Sequence, residues 1–188
     1  MISLVGFSGY ARSGKDSAAQ ALIGSGGWRR AAFADALKRD DALAALENSW
    51  MHNGGDCLDA SLFSDPVLKE KFRPFMVEYG RAMRNLDPEY WIRRAFFDMS
   101  YSDCREGSPL RFAVTDVRYE NEARAIRSRG GKVIGITRPG TGPANAEEAD
   151  SIPFVQPDAL ISNDGGLSRL HAKVFDIIHR WDLSGGPA

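Results

Sequence analysis

Gly9-Tyr10-Ala11-Arg12-Ser13-Gly14-Lys15 sets two glycines and a lysine at the spacing GxxxxGK, between an apolar run at residues 2–7 and an alanine-rich stretch. That spacing suits a polyphosphate. Glycines let successive backbone N–H groups turn inward, the start of a following helix adds partial positive charge, and a lysine neutralises the β- and γ-phosphates. The pattern is that of a Walker A loop between strand and helix, so Gly9 to Ser17 is predicted to bind a nucleoside triphosphate. Gly9, Ala11, Arg12, Ser13, Gly14, Lys15, Asp16 and Ser17 are the expected contacts, with Lys15 open to the ligand. Asp16 stands where Ser or Thr ordinarily reaches Mg²⁺, and Ser17 follows one position later; how the two divide contacts to metal and loop backbone stays open. Three further polar segments stand out: Phe33-Ala34-Asp35-Ala36-Leu37-Lys38, Tyr79-Gly80-Arg81, and Thr115-Asp116-Val117-Arg118-Tyr119-Glu120-Asn121-Glu122.

These residues need a scaffold, and the hydrophobic pattern predicts one. Strands are expected over 2–7, 30–33, 112–115, 132–137 and 159–162, with helices over 15–23, 34–46, 68–83, 90–99, 120–129 and 167–181. Residues 47–65 read as a connecting loop, 138–157 as a polar loop, and Asn163-Asp164-Gly165 as a cap for the last helix, with a turn near the donor nucleotide's base as its alternative. Alternating strands and helices imply parallel β-α-β units. The expected fold is therefore α/β, a P-loop NTPase fold with a mostly parallel sheet flanked by helices. Residues 47–105 carry little strand character and are predicted to form a helical insertion within a single domain, 1–188.

Composition narrows the function classes. The 24 basic and 25 acidic side chains leave a formal charge of −1, which gives no support to nucleic-acid binding. Arg124, Arg127 and Arg129 read as a solvated helix face. Cys57 and Cys104 lack metal-binding spacing, which points to a reducing compartment. No segment has the length and apolarity of a membrane span, and no leader pattern opens the chain, so a cytoplasmic protein is expected. Nothing in the sequence fixes the oligomeric state; a homodimer is compatible with it.

GYARSGKDS, FADALK, YGR, DVRYENEA and Leu160-Ile161-Ser162-Asn163-Asp164-Gly165 together resemble the bacteriophage deoxynucleoside monophosphate kinases, over residues 2–178. The second-place hydroxyl in GKDS is similar to that of nucleoside monophosphate kinases. The resemblance implies transfer of the ATP γ-phosphoryl group, with Mg²⁺, to a deoxynucleoside monophosphate, in the host cytoplasm if the chain is phage-encoded. It also implies that residues 47–105 bind the acceptor. Phosphoryl transfer needs alignment and positive charge more than covalent chemistry, and Lys15, Arg81 and Arg118 suit that need. Asp116, ending a strand, suits Mg²⁺ as a Walker B acid does, or caps the next helix. Asp35 suits orientation of the acceptor, or caps the helix that follows it. Lys38 and Glu122 join Asp35, Arg81 and Arg118 as acceptor-side candidates. Trp91 reads as packing between helices, with base stacking as its alternative. Arg12 and Arg138 suit clamps on ATP.

The loop 138–157 sits where a lid that excludes water would be useful. Relatives often carry a histidine followed by Ser-Glu there, whereas this chain has Asn145-Ala146-Glu147-Glu148, so no catalytic role is assigned to Glu148. The competing readings are a kinase acting on hydroxymethylpyrimidine within phage DNA, a dephospho-coenzyme A kinase-like activity, and a nucleotide-dependent switch with no second substrate. Base choice and the preference between deoxyribose and ribose are not legible in the sequence.

Overall fold

In the computed structural model the described residues are 3–38, 66–106 and 110–184. They comprise five strands, β1 (Leu4–Ser8), β2 (Trp28–Ala31), β3 (Arg111–Val117), β4 (Lys132–Thr137) and β5 (Ala159–Ser162). The helices are α1 (Lys15–Gly24), α2 (Phe33–Lys38), α3 (Pro66–Leu86), α4 (Tyr90–Glu106), α5 (Glu120–Arg127), α6 (Ala146–Ser151) and α7 (Leu167–Ser184), with a short 3₁₀ turn at Ile152–Phe154. The predicted loop over 47–65, and the predicted helix beyond Lys38, lie outside the described residues.

The chain divides into two compact units, one of Met1–Ala32 with Phe96–Ala188 and one of Phe33–Ala95. In the first, all five strands run parallel in the order β2-β3-β1-β4-β5. Alternation along β1 sends Val5 and Phe7 into one apolar layer with Ala18, Ala19 and Leu22 of α1 and Leu170, Val174 and Ile177 of α7. Gly6 faces the opposite way, where an added Cβ would meet Ile126 of α5 at 2.7 Å and Val117 at 2.8 Å. Helices thus cover both faces, which is why the strands read as continuous apolar runs. β1 and β3 are neighbours whose connections leave in opposite directions, to β2 and to β4, and ligands gather beyond the carboxyl ends of such a pair.

In the second unit α2 meets α3 where Gly80 leaves room: a Cβ there would stand 3.3 Å from Leu37. Trp91 of α4 is buried, donates its indole N–H to Gly80 O at 3.0 Å, and meets Tyr79 and Tyr90 edge-on. Asp87-Pro88 separates α3 from α4, as expected, and the Asp87 carboxylate accepts from Glu89 N–H at 3.0 Å.

Three expectations change. The polar stretch 138–157 contains α6 and the 3₁₀ turn; Asn145 caps α6 by accepting from Glu148 N–H at 2.9 Å, a signature that the sequence carries as Asn-x-x-Glu. The second strand lies two residues earlier than predicted, at Trp28–Ala31. Arg127 and Arg129 are not merely a solvated face. Arg127 pairs with Glu120 at 3.2 Å and Asp158 at 3.3 Å, and the Arg129 guanidinium lies 3.8 Å over the Phe96 ring.

Candidate functional site

The phosphate loop leaves β1 at Ser8 and enters α1 at Lys15. Its shape depends on backbone angles that few residues adopt: φ is +147° at Gly9, +64° at Arg12 and +101° at Gly14. Ser13 N–H closes a turn on Tyr10 O at 3.1 Å, and Ala18 N–H on Gly14 O at 2.8 Å begins the helix. The loop is braced from behind. Asn163, at the end of β5, donates Nδ2–H to Ser13 O at 2.9 Å, and His171 of α7 lies 2.9 Å from Ser17 O. Asn163 is therefore a strut of the loop and not a cap of α7, where Gly166 O receives the first helical bond, from Leu170 N–H at 3.2 Å. Asp164 instead pairs with Lys173 at 2.9 Å.

Lys15 is buried, at 9% exposure, and folds back so that its Nζ lies 3.4 Å from Tyr10 O. The expectation of an open lysine is corrected: the side chain is sheltered by its own loop, which raises the weight of its charge on anything the loop holds. Ser13 is fully buried and its Oγ has no hydrogen-bond partner among the described residues. Asp16 and Ser17 are exposed on the first turn of α1.

The carboxyl end of β3 arrives beside this loop, since Val117 registers with Ser8. Asp116 is half-buried one residue before the strand ends, and Arg118 follows it. Glu122 is buried, and its Oε2 accepts from Arg118 N–H at 2.7 Å and Tyr119 N–H at 3.1 Å. Its carboxylate shapes the turn that presents Arg118. Arg138, exposed just past β4, gives its carbonyl to Thr141 N–H at 3.1 Å and Thr141 Oγ1–H at 2.7 Å.

Glu148 is the residue that sequence reasoning set aside. It is 3% exposed, and its Oε2 accepts from Ala11 N–H at 3.0 Å, inside the phosphate loop, and from Ala144 N–H at 3.2 Å. Its Oε1 faces an Arg118 nitrogen at 3.8 Å. Burial pushes this carboxyl up, but the two backbone donors and the charges of Arg118 and Lys15 outweigh it and hold the group below its ordinary value. Beside it, Glu147 accepts from the Tyr119 hydroxyl. The capping signature in the sequence reveals α6, yet nothing local in it reveals the partner at Ala11.

The remaining predicted residues belong to the second unit. Asp35 pairs with Lys38 at 3.1 Å, one turn apart on α2. Arg81 is exposed on α3 and pairs with Glu78 at 2.8 Å. Trp91 serves the helix packing described above. The first unit thus brings together Gly9 to Ser17, Asp116, Arg118 and Glu148; Asp35, Lys38, Arg81 and Trp91 are gathered in the other.

Among the described residues there is no group of three or more His, Cys, Asp or Glu able to hold a metal ion. The hard oxygens of Asp16, Ser17 and Asp116 still suit Mg²⁺, which binds through one or two carboxylates and completes its shell with phosphate oxygens. The positive φ angles of the loop, its sheltered lysine and the buried Ser13 hydroxyl fit a polyphosphate.

Comparison with known proteins bears on the family and the fold. Two curated relatives, the deoxynucleotide monophosphate kinases of Escherichia phage RB69 and Enterobacteria phage T4, are each 30% identical over 93 residues, 49% of this chain. The aligned stretch is 37% and 38% of their respective lengths. A solved dephospho-CoA kinase from Campylobacter jejuni shares the fold with a TM-score of 0.53 at 16% identity, covering 95% of this chain and 96% of that one. The family model for deoxynucleotide monophosphate kinase matches residues 71–174, more than half the chain, and the protein belongs to that family.

Proposed function

We propose that the protein transfers the γ-phosphoryl group of ATP to a deoxynucleoside monophosphate, giving the diphosphate and ADP. One observation carries the reading: a phosphate loop with a sheltered lysine lies beside the strand end bearing Asp116 and Arg118, in a chain of this family. Transfer of this kind asks the protein for alignment and for charge placed ahead of the reaction. Lys15 and the loop N–H groups other than those of Ala11 and Ser13, which already donate to Glu148 and to Tyr10 O, bind the donor phosphates, with Arg12 and Arg138 as outer clamps. Asp16, Ser17 and Asp116 would hold Mg²⁺, which when bound neutralises charge on the transferring phosphoryl group. Arg118 offers a guanidinium on the side of the loop where β3 ends. Asp35, Lys38, Arg81 and Glu122 are the acceptor-side residues in this reading; Glu122 acts through the turn that it shapes.

The test is an acceptor panel. Purified protein with Mg²⁺ and ATP is expected to release ADP only when a free deoxynucleoside monophosphate is added. The panel comprises the four deoxynucleotides, their ribose counterparts, dephospho-coenzyme A and DNA containing hydroxymethyluracil. Phosphate appearing only on the DNA or the coenzyme precursor would replace the acceptor assignment, and hydrolysis indifferent to every acceptor would replace the kinase with a switch.

A further inference from the structure

Glu148 has more partners than a helix cap requires. Capping α6 accounts for its contact with Ala144 N–H, which is local, but not for its bond to Ala11 N–H, 137 residues away in sequence. A buried carboxylate stays ionised only where donors and cations meet it, and each of those around Glu148 belongs to a neighbouring piece of the phosphate site or to the segment leading into α6. The contacts form a continuous path. Glu122 fixes the backbone of Arg118 and Tyr119, Glu147 accepts from the Tyr119 hydroxyl, Glu148 faces the Arg118 guanidinium, and Glu148 reaches the loop at Ala11.

We propose that Glu148 is a positioning residue of the phosphate site: Oε2 ties the loop at Ala11 to the segment entering α6, and Oε1 holds Arg118 toward the phosphates. Lys15 and Arg118 are like charges gathered around one loop, and the carboxylate between their fields offsets their repulsion before any anion arrives. The tether at Ala11 follows from geometry alone; the consequence for Arg118 rests on the kinase reading.

Glu148→Ala and Glu148→Gln separate the two halves, because glutamine keeps an oxygen for Ala11 but puts no charge opposite Arg118. In nucleotide-free protein, amide hydrogen exchange across residues 9–15 is expected to quicken in Glu148→Ala and to stay near wild type in Glu148→Gln. ADP affinity by calorimetry is expected to fall about tenfold in Glu148→Ala, the cost of ordering about one freed backbone residue before the loop can hold phosphate. Glu148→Gln is expected to lower kcat with little change in the KM for ATP. Adding it to Arg118→Ala is expected to cost nothing further, since the two residues act as a unit. Unchanged exchange and ADP affinity in Glu148→Ala would overturn the tether, and additive losses in the double variant would overturn the hold on Arg118. If Glu148→Ala does not fold, a fully additive Glu148→Gln still overturns that hold. Wild-type protein that binds ADP yet phosphorylates no monophosphate would overturn the kinase reading alone, because exchange and calorimetry decide the tether without turnover.

Discussion

Replacing Gly9 by alanine confronts two separate penalties. The φ of +147° lies where side chains other than hydrogen are strained, at a cost of about 1–3 kcal/mol. The new Cβ would also stand 2.4 Å from Ile136 O and 2.7 Å from Ser13 Oγ. The serine hydroxyl can rotate away. The Ile136 carbonyl cannot, because β4 is paired to β1 on one side and β5 on the other, so relief would part the sheet beside the phosphate loop. Overpacking of this kind adds about 1–3 kcal/mol, which brings the expected loss to about 2–6 kcal/mol. For a chain of this size the melting temperature would fall by roughly 2–4 °C per kcal/mol. Gly26→Ala is the control, since φ is +82° there and an added Cβ meets nothing within 4 Å; only backbone strain of about 1–2 kcal/mol applies. Differential scanning calorimetry of both variants isolates the clash. A Gly9→Ala protein that unfolds no earlier than Gly26→Ala would refute the claim that the Ile136 carbonyl dictates glycine at this position.

Lys15→Ala is expected to cut turnover far more than stability, with kcat/KM and thermal unfolding measured on the same preparation; near-normal phosphoryl transfer would remove the loop from the active site. Trp91→Phe strands a buried contact to Gly80 O and is expected to cost about 1–3 kcal/mol of stability, read by urea unfolding, while the monophosphate KM stays put. A raised KM without loss of stability would instead make Trp91 a base platform. Because the Glu148 carboxyl is held below its ordinary value in the folded protein, its ionisation stabilises the fold at neutral pH. The stability advantage of wild type over Glu148→Gln is expected to shrink as pH falls from about 4.3, the usual glutamate value, through the lowered folded value. An advantage that grows on acidification would contradict the sign of that shift.

The loop and the order of the strands along the chain are legible in the sequence alone. GxxxxGK between a strand and a helix is the Walker A spacing, and that context is written locally in an apolar run before Ser8 and an alanine-rich run after Lys15. The strands at 132–137 and 159–162 and the glycine stop after α5 are equally local, as is the family resemblance carried by DVRYENEA. What the sequence left undecided is long-range. Lys15 reads as an open cation until the fold shows it buried and folded back onto the Tyr10 carbonyl. Asn163 reads as a cap because caps are local, whereas its bond to Ser13 O spans 150 positions. Glu148 sits in a stretch that departs from its relatives, and its partners at Ala11 and Arg118 come from other strand ends. The physical reason is the same in each case. Backbone propensity and capping act within a few residues, while a buried polar group must find donors wherever packing delivers them, and only the arrangement of β1, β3, β5 and α6 decides which donors those are.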